Sequence, residues 1–483
     1  MACWECKELR TDAEMLTRAF RMLCVERTEL KAENAKLREL LEEARRAGKR
    51  QAAPFSKGKP KANPKRRGRK SGRDHGPHAH RPRPDHVDEE CDAELPGACP
   101  RCGHDDIREA PDEVETVWET DIPPVRPHVR QTNIHVGYCE HCGKKVRGRH
   151  PFQTTTATGA AAAHVGPNAK ALAVSLNKDA AVSHTKISNI FKQFFGLVFS
   201  RAGICRAIQG VGRRALPTYN ALIRRARRSP LVSPDETGWK VAGRLWWLWV
   251  FATPTFTVYA IMPGRGFEEA ASILGAGFSG ILERDGWGPY RSFIFALHQS
   301  CNGHILRRCR HLIDSLPSGQ VGFPLEVRSI LKDALVLRDR RDQGLLSPHG
   351  LLVATGRIDA RMDRALVAVP THDENRKLHK HLCTERNALF TYLTHLGVAA
   401  TNYRAEQAIR PSVATRKMCG GGNNTPRGAE TQGILLTLLR TGWQQDYTPA
   451  EMIVPLLRAP APWIVPLRRR IPRRGTRRPA DPG

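Results

Sequence analysis

Residues 231–241, LVSPDETGWKV, are followed by RLWWLWVFAT (244–253), TFTVYAIMP (255–263), GFEEAASILG (266–275) and SGILERDGW (279–287). The first three runs are rich in β-branched and aromatic residues and are punctuated by AGR and TP turns, which predicts an antiparallel meander. The fourth run reads as a helix and the fifth as another strand. The resulting order is strand, strand, strand, helix, strand. Asp235 sits within the first strand and Asp285 closes the fourth.

That order is the one found in the RNase H-like fold, where an aspartate of the first strand lies beside one ending the fourth. Either aspartate alone is an ordinary turn or strand-end residue. Together, they match a known chemical need. Phosphodiester cleavage requires a strong oxygen nucleophile and charge neutralisation at the leaving oxygen, and two Mg2+ (or Mn2+) ions about 3.5–4 Å apart supply both. Carboxylates are the hard, charged ligands that hold such ions. A third carboxylate from a later helix completes a site of this kind.

Outward from this core, the chain divides into recognisable segments. Over 1–46, Leu16, Leu23, Leu30 and Leu37 recur at heptad spacing, with Ala13, Phe20, Arg27, Asn34 and Leu41 at the other seam position. This predicts a leucine-zipper coiled coil and a homo-oligomer; the alternative is an amphipathic helix packed on its own chain. Residues 47–90 are a basic linker too poor in apolar groups to fold, with Lys65, Arg66, Arg67, Arg69 and Lys70 as phosphate contacts or a solvated spacer. Over 91–150, CPRCG (Cys99, Cys102) and CEHCG (Cys139, Cys142) predict a zinc ribbon, four thiolates on one structural Zn2+, with short strands in VETVWETDIPP and VRQTNIHVGY between them. Cys91, His104 and His141 are substitute ligands. Residues 151–230 read as helical: ISNIFKQFF, a GLVF break and SRAGICRAIQGVGRRA have the outline of a helix-turn-helix with Ser200 as N-cap, or equally of two core helices. Residues 231–420 form the catalytic domain, with a helical insertion at about 320–400, and 421–483 a C-terminal helix and basic tail. The whole is a multidomain α+β chain: coiled coil, zinc ribbon, helical region and an RNase H-like α/β core.

Longer motifs in the core carry a family likeness. SPDETGWKV, RLWWLWVF, PGRGFEEA, RDGWGPY, HQSCNGHILRR and NYRAEQAIRPSVATRK resemble the insertion sequence 66 family of transposases, and the likeness extends back through the CxxC pairs to the zipper. The resemblance implies a DDE site of Asp235, Asp285 and Glu406 that cuts element ends and transfers strands. It also implies that His304, Arg307 and Arg308 lie near the catalytic groove. Arg410, Arg416 and Lys417 are further candidates for DNA contact. Where that family carries an acidic-Asn-Asn stretch, this chain reads Thr401, Asn402, Tyr403, a departure that bears on the capping of the Glu406 helix. Locally, Glu406 is also explained by an i,i+4 pair with Arg410, and Glu283, Asp373 and Glu385 compete for the third place. Cys301, His304, Cys309 and His311 have a second metal-like spacing.

Bulk composition agrees with a nucleic-acid partner. Lys and Arg number 77 against 48 Asp and Glu, a formal charge of +29 that favours polyanions through counterion release. No apolar run approaches the roughly eighteen residues of a membrane span, and the first thirty residues mix charges, so a cytoplasmic, nucleoid-associated protein is expected. The expected partners are DNA, further copies of the chain and accessory proteins of the element. A non-catalytic zinc-ribbon DNA-binding protein and a nuclease without strand transfer are the competing functions.

Overall fold

The computed structural model describes residues 19–41 apart from 21 and 24, residues 83–154 apart from 109 and 111–114, and residues 164–418 and 422–467. Most of the heptad seam is covered as α1, helical without a break over 25–41, whose Leu30 and Leu37 are more than half exposed. Leu16, the Lys65–Lys70 cluster and the tail beyond 467 lie outside the described residues.

The chain divides into two compact units: residues 56–128 with 194–196, and the remainder. In the first unit the Cys99 knuckle is ordered by its own backbone, and no strand forms over 115–128. The alternation read in VETVWETDIPP has no face to cover, since Val117 and Ile122 are almost fully exposed. In the second unit only the end of VRQTNIHVGY becomes a strand, β1 (Val136–Tyr138), paired antiparallel with β2 (Lys145–Arg147) around the Cys139 knuckle.

Three helices precede the core: α2 (Pro167–Lys178), α3 (His184–Phe195) and α4 (Arg201–Ala226). Ser200 caps α4 as expected, its hydroxyl accepting from the Gly203 amide at 3.1 Å. The apolar stripe of α4 (Ile204, Ile208, Val211, Ala215, Leu222) is buried. This long helix therefore packs as core.

The sheet contains β3 (Leu231–Val241), β4 (Arg244–Ala252), β5 (Thr257–Met262), β6 (Ile281–Arg284) and β7 (Leu297–Ser300), with α5 (Phe267–Leu274) between β5 and β6. Strand order is β5-β4-β3-β6-β7; the first three strands form the expected antiparallel meander, and β6 and β7 join in parallel. Ala242 and Gly243, both at positive φ, make the two-residue turn from β3 to β4 that matches strand twist. Each face of β4 is covered, which is why its sequence is nearly all apolar. Leu248, Val250 and Ala252 face one layer, and Trp249 and Phe251 face α4 and α5.

The rest of the chain covers this sheet. After β7 come α6 (Asn302–Ser315), α7 (Gly322–Asp342), α8 (Pro348–Val367), α9 (Asp373–Glu385) and the short α10 (Thr391–Thr394), which build their own core around Val327, Ile330, Leu331, Met362 and Leu378. Helices thus fill the stretch of about 320–400 that reads as helical in the sequence. The chain then returns through α11 (Tyr403–Met418), α12 (Pro426–Gln444) and α13 (Pro449–Arg458). Thr437 and Thr441 of α12 accept hydrogen bonds from the amides of Tyr259 and Thr257 on edge strand β5, so the packing of the core runs past residue 420.

Leu282, fully buried at the centre of β6, tests this arrangement. Leu282→Ala is expected to cost about 2–5 kcal/mol. A lower urea midpoint with unchanged far-ultraviolet circular dichroism is the expected result.

Candidate active site

Parallel pairing sets the first two acidic residues. Leu231 and Val232 of β3 pair with Ile281 and Leu282 of β6, and the same register carried forward brings Asp235 level with Asp285. Each carboxylate is oriented by its own backbone: Asp235 accepts from the Glu236 amide at 2.9 Å, and Asp285 from the Trp287 amide at 2.9 Å. Burial, together with the charges of Glu236, Asp285 and Glu406 and against the one amide that lowers it, pushes the Asp235 carboxyl up to about 7. The three sequence-derived carboxylates thus stand close enough for the other two to act on Asp235.

Glu406 lies in the first turn of α11 and is part exposed. Its carboxylate is 3.5 Å from Arg307 Nη2 and 4.0 Å from His304 Nε2, both on α6. His304 is held above its usual value chiefly by its hydrogen bond with Cys301. Burial raises the Cys301 thiol, but His304 and the Asn402 amide outweigh it, leaving the thiol below its usual value. The Thr401-Asn402-Tyr403 departure has a structural answer. The Asn402 carbonyl accepts from the Glu406 amide at 3.1 Å, while its buried side chain donates to the Pro234 carbonyl at 2.8 Å. The helix start is thereby tied to the residue before Asp235.

The competing carboxylates are otherwise engaged. Glu283, wholly buried, accepts from Ser233 Oγ at 2.5 Å, Arg404 Nη1 at 2.8 Å and the Ala399 amide at 2.6 Å. Glu385 is buried between Arg284 at 2.7 Å and Arg291 at 3.0 Å. Asp373 is exposed and pairs with Arg376 on its own helix.

A residue that the sequence reading passed over is Glu236. It is buried beside Asp235 and accepts from Tyr290 Oη and from Arg265 Nε at 2.7 Å. Burial is the main cause that raises its carboxyl. Arg265 lies 3.9 Å over the Trp287 ring and 4.6 Å over Trp247. The SPDETGW and RDGWGPY motifs contain both ends of this network, which was their available signal.

The predicted basic residues separate. Arg307 is exposed beside Glu406 and Arg308 half-buried nearby on α6; Arg410 and Lys417 are exposed on α11. Arg416 instead donates to Thr237 Oγ1 at 2.9 Å and to the Gly238 carbonyl, bracing α11 against β3. Cys309 is buried and its thiol is pushed up to about 12 by burial.

The two cysteine knuckles share one geometry, each within its own unit. Gly103 and Gly143, at positive φ, donate to the carbonyls of Cys99 and Cys139 at 2.7 and 2.8 Å. Backbone amides of the following residues hold the Cys99 and Cys139 thiols below their usual value. Among the described residues, no group of three or more His, Cys, Asp or Glu side chains is arranged to hold one metal ion. Amide-stabilised sulfur is nevertheless a donor that suits zinc, and a carboxyl raised by burial and by acidic neighbours is one that a divalent cation would stabilise.

An uncharacterized protein, y4qI of Sinorhizobium fredii (strain NBRC 101917 / NGR234), is 25% identical over 231 residues, covering 43% of this chain. The chain spans 42% of that relative's length. The sequence profile described as "Transposase IS66 family" matches residues 163–431, from just before α2 into α12. With more than half of its 483 residues matched, and with the mixed sheet and its acidic residues inside the match, the chain belongs to the IS66 family of transposases.

Proposed function

We propose that the protein is the DNA-cleaving and strand-transferring transposase of a bacterial insertion element, using an RNase H-like core and a DDE site of Asp235, Asp285 and Glu406. One observation supports this reading: β3 and β6 pair in parallel, Leu231 with Ile281 and Val232 with Leu282, a register that carried forward brings Asp235 level with Asp285. The strand order β5-β4-β3-β6-β7 supports the RNase H-like assignment. Two Mg2+ or Mn2+ ions, when bound, would activate the attacking oxygen and offset charge on the leaving oxygen. Asp235 and Asp285 would hold both ions, and Glu406 one of them.

The chain's own residues do the positioning. The Glu236 and Trp287 amides fix the rotamers of Asp235 and Asp285. Asn402 and Glu283 hold the α11 start against β3 and β6, so Glu406 reaches the same end of the sheet. His304 and Arg307 place positive charge beside Glu406, ready for a backbone phosphate. Hydrolysis at the element end breaks a phosphorus–oxygen bond and releases a 3′-hydroxyl. That hydroxyl then attacks a target phosphodiester in line, with no covalent enzyme intermediate. The N-terminal heptads would pair two chains for two ends, the four knuckle cysteines would bind structural zinc, and accessory element proteins would assist. Action on DNA places the work at the bacterial nucleoid in the cytoplasm; no helix among the described residues is long and apolar enough to cross a membrane.

Incubation with plasmid DNA bearing the flanking element ends tests the function. The wild-type chain with Mg2+ is expected to cleave and join; Asp285→Asn is expected to bind the DNA and do neither. Binding without cleavage by both proteins would replace this reading with a non-catalytic DNA-binding one, and cleavage without joining with a nuclease.

The Asp235 carboxyl also predicts a pH dependence. Its value of about 7 in the folded chain lies above the unfolded value, so the metal-free protein loses stability as pH rises toward 7. Mg2+ favours the charged form, so the rise in Tm on adding Mg2+ should grow from pH 6 to pH 8. Asp235→Asn should flatten that growth. A Mg2+ effect independent of pH in both proteins would count against Asp235 as a ligand.

Zinc analysis supplies a separate check. The purified chain is expected to carry about one zinc, lost in a Cys99→Ser, Cys139→Ser double variant. An unchanged zinc content would remove these cysteines as ligands.

A further inference from the structure

The end of α4 and the β4–β5 turn enclose a cleft of about 640 Å3 away from the candidate carboxylates. Arg224, Arg225 and Arg228 line one side; Thr253, Pro254 and Phe256 line the other. All three arginines are exposed, and no acidic side chain lines the cleft. Among the described residues, none of the three is ion-paired with a carboxylate.

Cations at a helix C-terminus are favoured by its dipole, which is the bland account of such a cluster. Arg227 already serves that end: its Nε and Nη2 donate to the carbonyls of Ile273 and Ser272 at 2.9 and 2.8 Å, joining α4 to α5. The other three line the opening. Arg225 is steadied by the Phe256 ring at 5.6 Å. Thr253 Oγ1 is occupied by the amides of Thr255 and Phe256, and Ser229 Oγ by the Leu231 carbonyl. The walls are therefore satisfied internally, and the guanidinium groups alone lack a counter-charge. Planar guanidinium forks match phosphate oxygens in pairs.

The cleft opens where β3 begins. Asp235 lies four residues further, about 13 Å along the strand, and Asp285 is at the end of its parallel neighbour. We propose that this cleft is a second DNA site, gripping backbone phosphates of the duplex beside the segment held at the carboxylates. The identity of the ligand as DNA rests on the transposase reading.

Salt dependence of binding to a linear duplex tests it. The full-length wild type is compared with Arg224→Ala, Arg225→Ala, Arg228→Ala together, and with Arg310→Ala, Arg340→Ala, Arg357→Ala together as an equal loss of exposed charge. Each phosphate contact contributes about 0.9 to the slope of log affinity against log salt. The cleft variant is expected to lose about 2–3 from that slope and the control less than about 1. The corresponding Arg→Lys triple variant, which keeps the charge, should retain most of the slope; its retention also guards against a folding defect at these positions. Equal losses in the cleft and control variants, or no loss in the cleft variant, would sink this proposal while leaving the transposase reading intact. A wild-type chain that binds no duplex would sink both.

Discussion

A single buried carboxylate holds the candidate site together. Glu283 is inaccessible to solvent at the centre of β6, and an ion in that position is costly unless its oxygens are matched. Its partners come from three places: Ser233 on β3, Arg404 on α11 and the amide of Ala399 on the approach to α11. Removing one member of such a pair typically costs about 3–5 kcal/mol, because the other charge is left stranded. The return of the chain after a long helical insertion is thus dictated electrostatically. Glu406, two residues beyond Arg404, arrives at the acidic end of the sheet as a consequence.

Three successive residues of β6 and its end divide the work. Glu283 secures α11. Arg284, on the opposite side of the strand, is buried against Glu385 of α9 and so fastens the insertion. Asp285, just past the strand, acts electrostatically on Asp235. The alternation of a strand separates Glu283 from Arg284, since neighbours point to opposite faces. The two ion pairs thus tie β6 to α9 and to α11, on either side of the insertion. Glu236 is likewise engaged within the protein: Tyr290 and Arg265 share its two oxygens.

Membership of the IS66 family and the mixed sheet support the transposase proposal. The strongly basic composition would serve a binding protein equally well. What argues for chemistry is the arrangement of acidic groups in a chain with so large a positive excess. Burying Asp235 among Glu236, Asp285 and Glu406 is unfavourable for the protein alone. Such an arrangement is commonly retained where a cation or a proton is to be handled.

Local patterns carried much of the fold. Strand composition, the Ala242–Gly243 turn, the cap at Ser200 and the helical insertion follow from short-range sterics and hydrogen bonding, and all are present. The two knuckles are similarly local, each closed by a glycine at positive φ. Alternation misled in 115–128, where exposed Val117 and Ile122 found no partner sheet. The heptads specify a helical stripe, but what covers it is not a property of one chain's local order. Tertiary structure alone decided which carboxylates are structural. Glu283, Glu385 and Glu406 are equally acidic in the sequence; only packing determines that the first two are buried in ion pairs while the third remains part exposed beside Asp235. It likewise turned Arg416 from a presumed phosphate contact into a brace on β3, because a guanidinium's role depends on the carbonyls and carboxylates that distant segments bring to it.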